Sequence, residues 1–340
     1  MPNIIDVALK AHVSIATVSR VVNKSHHKVN RATQERVLEA IRELDYHPNA
    51  LAKGLLMKRT MTIGIIIPDI SNPYYAEIVR GIQDVADQAG YAVTLHNTDK
   101  KPGGITRYIY LLREKSADGI IFSGGIINGH ETLPILRELR EKVVVIGRHE
   151  VDSPAVMVDN IGGAALAVQH LFDIGHRRIG FIGGPDGSTT ALDRLTGYKN
   201  TMAQNGVTFS PRLVKKGMWT PESGYLLGTE LLKGQGRPTA IVAANDPMAF
   251  GAIKAAKAVG LMVPEDLAVV GFDDIPLSSY FDPPLTTVKL PMHDLGAASM
   301  TMLLNLISGK KFEKLKLFRA TLQVRESTVK QLKKGKRKKC

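Results

Sequence analysis

Cysteine is almost absent from this 340-residue chain, because the single one, Cys340, is the last residue. One thiol cannot form an internal disulfide or a cysteine-ligated metal cluster. The sequence also lacks an apolar run of the roughly 18 residues needed to cross a bilayer, and Met1-Pro2-Asn3 does not begin a signal peptide. We therefore expect a cytoplasmic protein without a membrane partner.

Signatures of catalysis are missing as well. The stretch GFIGGPDGS (180–188) is glycine-rich, but it matches neither G-x-G-x-x-G nor the P-loop lysine motif. There is no serine elbow, no reactive cysteine and no set of histidines and carboxylates at metal-ligand spacing. The sequence thus predicts a protein that is not an enzyme and that needs no cofactor or metal.

Composition is ordinary for a globular protein, with 44% hydrophobic and 23% charged residues, so global disorder is excluded. The net charge of +13 lies mostly at the two ends. Residues 1–60 hold 10 Lys and Arg against 5 Asp and Glu, residues 330–340 hold 7 against none, and the middle is nearly neutral. A basic end on a neutral body indicates a surface for phosphates. The tail, 330–340, lacks apolar periodicity, and we expect it to be disordered.

The first 47 residues predict a helix-turn-helix. Asn3 and Ser14 are suited to cap two helices, and a third follows Asn30. The predicted inner faces are Ile4, Val7, Ala8 and Ala11, then Val18, Val21 and Val22, then Val37, Leu38, Ile41 and Leu44. The outer side of the second helix has no carboxylate and consists of Ile15, Ala16, Thr17, Ser19 and Arg20. Such a surface suits a polyanion, although a helical mini-domain for protein contacts is the alternative.

Beyond residue 61, short apolar runs alternate with amphipathic stretches. This pattern predicts parallel sheets covered by helices on both faces, in two lobes. The strand-like runs are 62–68, 91–97, 119–124, 143–147, 155–160, 178–184, 240–245 and 267–274. Polar residues follow several of these runs, at the carboxyl ends where open α/β sheets bind ligands: Asp69, Ser71, Asn72, Gly147, Arg148, Asn245, Asp246, Asp273 and Asp274.

Two stretches carry a resemblance to a known family: DVALKAHVSIATVSRVVN (6–23) and TQERVLEAIRELDYHPNALAKGLLMKRTMTIGIIIPDISNPYYAEI (33–78). They resemble the lactose- and galactose-repressor family of bacterial transcription regulators, and the similarity extends to about residue 328. The resemblance implies a helix-turn-helix headpiece at 1–47, a hinge at 48–60 and a core like that of periplasmic sugar-binding proteins. The core lobes would be 61–160 with 291–321, and 161–290 with 322–329.

The resemblance also implies which residues contact DNA. Ile15, Ala16 and Arg20 would reach base edges, Thr17, Ser19 and Asn23 would hold phosphates, and Asn30 and Thr33 would anchor the third helix. In the hinge the implied set is Asn49, Ala52, Lys53 and Leu55. Leu55 would wedge into the minor groove when the hinge folds on DNA, whereas a plain linker is the alternative.

An effector pocket between the lobes is implied in the same way, with Tyr74, Tyr75, Arg148, Arg194, Trp219, Asn245 and Asp273. For three of these an ordinary role is the alternative: Asp273 as a turn cap, Trp219 as a core residue and Arg148 as a surface ion pair. Gly147 departs from the acidic or polar residue of many members. The absence of an acid beside Arg148 predicts a more cationic pocket, which favours an anionic effector such as a sugar acid or sugar phosphate. His12 departs from the usual glycine and predicts a strained turn.

The sequence therefore predicts a homodimeric, DNA-binding repressor that reads a pseudo-palindromic operator and responds to a small molecule, a sugar or sugar derivative, between its lobes. Lobe closure would change the distance between the two hinges. The alternatives are a regulator controlled mainly by a protein co-effector and a ligand-binding module without gene control.

Overall fold

A computed structural model describes residues 2–22, 29–47, 59–99, 101, 103–124, 138, 142–149 and 153–329. The chain divides into two compact units, Met1–Met61 and Thr62–Cys340, which we call the headpiece and the core. In the described ranges no helix is long and apolar enough to cross a membrane. Several predicted sites lie outside the described residues: Asn23, Asn49, Ala52, Lys53, Leu55 and the tail at 330–340.

The headpiece contains three helices, α1 (Ile4–Lys10), α2 (Ile15–Val22) and α3 (Arg31–Glu43). A capping box begins α1, because the Asn3 side chain accepts from the backbone N–H groups of Ile5 and Asp6, and the Asp6 carboxylate accepts from the Asn3 N–H at 2.8 Å. Asn30 begins α3, where its side-chain oxygen accepts from the Thr33 N–H at 2.8 Å.

The headpiece core is formed by one face of each helix. Its buried residues are Val7, Ala8, Ala11, Val18, Val21, Val37, Ala40 and Tyr46. The prediction for α3 was wrong at Leu38, whose side chain is 43% exposed, while Ala40 is buried. Positions 37, 40, 41 and 44 follow the i, i+3, i+4, i+7 spacing of a single helix face, and residue 38 lies about 100° away from residue 37.

The turn between α1 and α2 has a left-handed residue, His12, with φ 53°. This conformation is the one that a glycine adopts without steric cost and that a histidine adopts with some strain.

Replacing His12 with glycine should therefore stabilise the headpiece by about 0.5–1 kcal/mol, because relief of left-handed strain exceeds the added entropy of the unfolded chain. Calorimetry of the full chain would measure the headpiece transition. His12→Ala is the control and should bring no gain, since alanine keeps the Cβ. A destabilised His12→Gly variant would instead show that the imidazole makes a stabilising contact.

The core contains two six-stranded sheets. The first has the strand order β11-β5-β4-β3-β1-β2 and is entirely parallel, and the second has the order β12-β10-β9-β8-β6-β7, in which only β12 runs antiparallel to its neighbour. The strands are β1 (Thr62–Ile67), β2 (Ala92–Asn97), β3 (Gly119–Ser123), β4 (Val143–Ile146), β5 (Ala155–Val158), β6 (Ile179–Gly183), β7 (Val214–Lys216), β8 (Ala240–Ala243), β9 (Ala268–Asp273), β10 (Thr286–Lys289), β11 (Leu315–Phe318) and β12 (Thr321–Gln323).

All eight strand-like runs of the sequence form strands, and the predicted fold class is confirmed. Every residue of β3, β4, β6, β8 and β9 is buried, as expected for parallel strands with helices on both faces. The short strands β7, β10, β11 and β12 were not predicted.

Helices cover both sheets. We call the first sheet with its helices the first lobe, and the second sheet with its helices the second lobe. The described core helices are α4 (Pro73–Gln88), α5 (Gly104–Glu114), α6 (Asn160–Asp173), α7 (Thr189–Gln204), α8 (Pro221–Leu232), α9 (Asp246–Ala258) and α10 (Met292–Ile307). Two glycines let α4 and α10 pack backbone to backbone, because a Cβ at Gly81 would overlap the His293 carbonyl and one at Gly296 the Ile78 carbonyl.

The chain passes between the sheets three times: after β5, after β10 and between β11 and β12. Each lobe is thus discontinuous in sequence, and the three crossovers connect the lobes. The lobe boundaries that the sequence suggests, near 160, 290 and 321, stay a prediction.

Candidate functional site

The exposed side of α2 is the candidate DNA-contacting surface. Ser14 begins the helix by accepting from the Thr17 N–H at 3.2 Å. Val18 and Val21 point into the headpiece core, so Ile15, which is 47% exposed, faces solvent together with Ala16 and Arg20. The three side chains predicted to reach base edges therefore lie on the exposed side of one helix.

The predicted phosphate-holding residues flank that surface. Thr17 and Ser19 are half-buried at its edge, and the Thr17 hydroxyl is hydrogen-bonded to Ser14 Oγ at 2.9 Å. Asn30 and Thr33 are instead at the start of α3, where Asn30 caps the helix and the Thr33 hydroxyl accepts from Arg36 at 3.5 Å. Asn30 therefore caps α3, while the anchoring role of Thr33 and any DNA contact of either residue stay predictions.

The second candidate site is a cleft between the two lobes. It holds a cavity of about 110 Å³, lined mainly by residues that follow the carboxyl ends of strands in both sheets. The lining residues are Pro68, Asp69, Asn72, Tyr74, Tyr75, Ser123, Gly124, Ile146, Gly147, Val158, Asn160, Pro185, Ser188, Thr190, Arg194, Trp219, Asn245, Asp273 and Leu290. Six of the seven predicted effector residues are among them.

Tyr74 and Tyr75 enter the cleft from the start of α4, which Asn72 caps. Their rings meet edge to face with centroids 5.0 Å apart. Burial raises the pKa of both phenols. Both residues line the cavity with protonated phenols at neutral pH.

Arg194 of α7 is the central cation of the cleft and is 4% exposed. Its Nε donates to Asn160 Oδ1 at 2.9 Å, and its Nη1 donates to Asp273 Oδ1 at 3.2 Å and to the Ala244 carbonyl. The guanidinium also lies over the Phe272 ring, 3.6 Å from its centroid. The protein itself therefore holds the arginine in place and pairs it with an acid.

Asp273 lies at the end of β9 with a left-handed φ of 116°. Burial raises the pKa of its carboxyl to about 7, even though Arg194 opposes the shift, and the nearby Asp246 adds to it. Asp246 is fully buried behind it and accepts from Ser278 at 2.6 Å and from Thr287 at 2.5 Å. The cleft thus contains an acid that titrates near neutral pH.

Asn245 and Trp219 form another wall of the cavity. Asn245 caps α9, since its Oδ1 accepts from the Met248 N–H at 3.0 Å, and its Nδ2 donates to the Trp219 carbonyl at 3.1 Å. The indole lies against Gly184, where any Cβ would overlap the ring. Trp219 is half-buried and lines the cavity, so the alternative of a plain core residue is not supported.

Arg148 is the predicted pocket residue that does not line the cavity. Its Nε and Nη2 donate to both oxygens of Asp193, at 3.1 and 2.7 Å. Among the described lining residues the charged ones are Asp69, Asp273 and Arg194. The expectation of a cationic pocket was therefore wrong, and the hypothesis of an anionic effector loses its basis.

Several lining residues were absent from the predicted set. Asn160, which follows β5 and binds Arg194, was visible in the sequence only as the end of a strand-like run. Asp69 and Asn72 belong to the polar cluster recognised after β1, but nothing in the sequence assigned them to the ligand. Ser123 and Thr190 gave no sequence signal.

Known protein families match parts of both the headpiece and the core. A family model described as bacterial regulatory proteins, lacI family, matches residues 3–49, and one described as a periplasmic binding protein-like domain matches residues 168–328. The chain is 40% identical to catabolite control protein A of Priestia megaterium over 303 residues, which are 88% of this chain and 91% of that protein.

Two solved structures of transcription regulators are similar to this chain. The lac repressor dimer bound to operator and the anti-inducer ONPF superposes with a TM-score of 0.87 at 31% identity, covering 97% of this chain and 99% of that chain. The complex of the transcriptional regulator CelR with cellobiose gives a TM-score of 0.73 at 33% identity, covering 96% of this chain and 100% of that chain.

These relatives are transcription regulators and not enzymes, which agrees with the lack of catalytic motifs in the sequence. The exposed α2 surface lies in the range of the first model, and the second-lobe side of the cleft lies in the range of the second. The chain therefore belongs to the lacI family of bacterial regulatory proteins.

Proposed function

We propose that this protein is a homodimeric repressor that binds a pseudo-palindromic DNA operator through α2 and responds to a neutral sugar in the cleft. A twofold dimer matches a palindromic site because each headpiece reads one half-site. The operator-bound lac repressor dimer and the cellobiose complex of CelR support both parts. A regulator of DNA acts where the chromosome is, so we place it in the cytoplasm.

The charge of the lining is the observation that points to a neutral ligand, because its one described cation, Arg194, already contacts Asp273 at 3.2 Å. An anionic group would compete with Asp273 for Arg194, and it would also meet the acid Asp69. Sugar hydroxyls suit this lining, because they donate to carboxylates and accept from amide donors such as that of Asn72. The indole of Trp219 offers an aromatic face for the apolar side of a sugar ring.

A titration of Trp219 fluorescence tests this function, because Trp219 is the only tryptophan of the chain. Neutral pentoses, hexoses and disaccharides would be compared with sugar acids and sugar phosphates. The operator would come from selection in a random DNA library with the full-length protein. We expect a saturable change with a neutral sugar that also shifts operator affinity. Binding of anionic sugars alone would contradict neutrality, and DNA binding that responds only to a partner protein would support the co-effector alternative.

The affinity for that sugar should fall as the pH drops below about 7, where the Asp273 carboxyl becomes protonated. A ligand hydroxyl that donates to Asp273 stabilises the ionised form, so protonation opposes binding. Asp273→Asn should bind about tenfold more weakly at pH 8, since a hydrogen bond to a charged group is replaced by a neutral one, and it should lose the pH dependence. Asp186→Asn, an exposed acid outside the cavity lining, is the matched control and should behave as wild type.

A further inference from the structure

Two polar contacts join the lobes at the edge of the cleft. Arg148 follows β4 of the first sheet, and Asp193 lies on α7, which packs beside the second sheet. The guanidinium donates to both carboxylate oxygens of Asp193, at 3.1 and 2.7 Å. The Thr189 hydroxyl, also on α7, donates to the Arg148 carbonyl at 3.1 Å.

These contacts lie next to the residues that line the cavity. Gly147 precedes Arg148 and lines the cavity from the first lobe, while Thr190 and Arg194 line it from the second lobe beside Thr189 and Asp193. The three crossovers connect the lobes covalently. A bond at the edge of the cleft must break when the lobes rotate apart about those crossovers.

The Arg148–Asp193 ion pair is suited to hold the lobes together weakly and reversibly. Two parallel N–H···O bonds fix the relative orientation of guanidinium and carboxylate. The Arg148 side chain is 45% exposed and that of Asp193 is 16% exposed, so water and salt reduce the attraction. The pair can therefore form and break without a large cost to stability.

We propose that Arg148, Asp193 and Thr189 form an ionic latch that holds the cleft closed. The latch stabilises the closed arrangement of the lobes, and a ligand bound between the lobes stabilises the same arrangement. When the latch is lost, part of the ligand's binding energy must therefore be used to close the cleft. The effect of the latch on ligand binding rests on the proposed function, whereas its effect on closure of the ligand-free protein does not. Arg148 and Asp193 are in this sense positioning residues that set how long an effector is retained.

Acrylamide quenching of Trp219 in the full-length, ligand-free protein measures how often the cleft opens, because Trp219 lines the cavity. Arg148→Ala and Asp193→Ala should each raise the open population about two- to fivefold, the range expected for a partly exposed ion pair. The charge exchange Arg148→Asp with Asp193→Arg should restore most of the protection. Added salt should increase quenching of the wild type and leave Arg148→Ala unchanged.

Lys215→Ala is the matched control, because Lys215 pairs with Glu230 at 2.8 Å within the second lobe and spans no cleft. Equal quenching of wild type and both latch variants would overturn the proposal, as would an effect that the charge exchange does not rescue or that Lys215→Ala reproduces. Sugar binding followed through Trp219 fluorescence tests the proposed function even if the latch does not exist. Failure of the latch proposal can therefore be distinguished from failure of the proposed function.

Discussion

Arg194→Ala is expected to destabilise the core by about 3–5 kcal/mol at pH 8, because it removes one partner of a buried ion pair and leaves the other charge unpaired. Both side chains are about 5% exposed or less, so water cannot replace the lost contact. The substitution also removes the hydrogen bonds to Asn160 and to the Ala244 carbonyl. Denaturant unfolding of the full chain, followed by Trp219 fluorescence, would measure the loss.

The destabilisation should be smaller at low pH. Burial raises the pKa of Asp273 from the ordinary 3.8 to about 7, so the folded chain already binds more protons than the unfolded chain between these values. The contribution of this carboxyl to stability therefore decreases as the pH rises from about 4 to 7. Without Arg194, which lowers that pKa, the decrease must continue above pH 7. The deficit of Arg194→Ala relative to wild type should thus grow from pH 6 to pH 8.

A double substitution separates the ion pair from simple loss of packing. Arg194→Ala combined with Asp273→Asn should be more stable than Arg194→Ala alone at pH 8, because no unpaired charge remains. Arg148→Ala removes the same side chain from a partly exposed pair and should cost below about 1 kcal/mol. A pH-independent deficit for Arg194→Ala, equal in the double variant, would mean that Asp273 is not charged in the folded protein.

The fold could be predicted from the sequence wherever burial leaves a long apolar run. Thr62–Ile67 reads as a strand because five of its six residues are buried between two helical layers. The strand Leu315–Phe318 gives no such signal, because it is a sheet edge with three exposed residues. Its place in the first sheet depends on pairing with Ala155–Val158, which lies far away in the chain.

The cleft was predictable in its location and only partly in its members. Asn245 lies two residues after one strand and Asp273 at the end of another, where parallel topology brings side chains together. Arg148 also follows a strand, but its long side chain turns toward Asp193, 45 residues later. Nothing near Arg148 in the sequence specifies that partner, so its direction required the tertiary structure. The error in the predicted pocket charge follows from this one side chain.

Arg20→Ala is expected to remove sequence discrimination at one base pair in each operator half-site, by about 1–3 kcal/mol. Arg20 lies on the exposed side of α2, one turn after Ala16, and α2 has no acidic residue in its first turn. A guanidinium placed in the major groove would donate two hydrogen bonds to a guanine edge, and alanine cannot replace them. Selection from a random DNA library with wild-type and variant full-length protein would measure the preference at each position.

The same experiment separates base reading from general electrostatics. Arg42→Ala removes an equal charge from the last turn of α3, so it should weaken binding evenly, if at all, and leave the selected sequence unchanged. If Arg20→Ala lowered affinity equally for every sequence and reduced the salt dependence by about one phosphate contact, Arg20 would hold a phosphate instead. Loss of preference at a single guanine position per half-site would identify Arg20 as the residue through which α2 distinguishes operators.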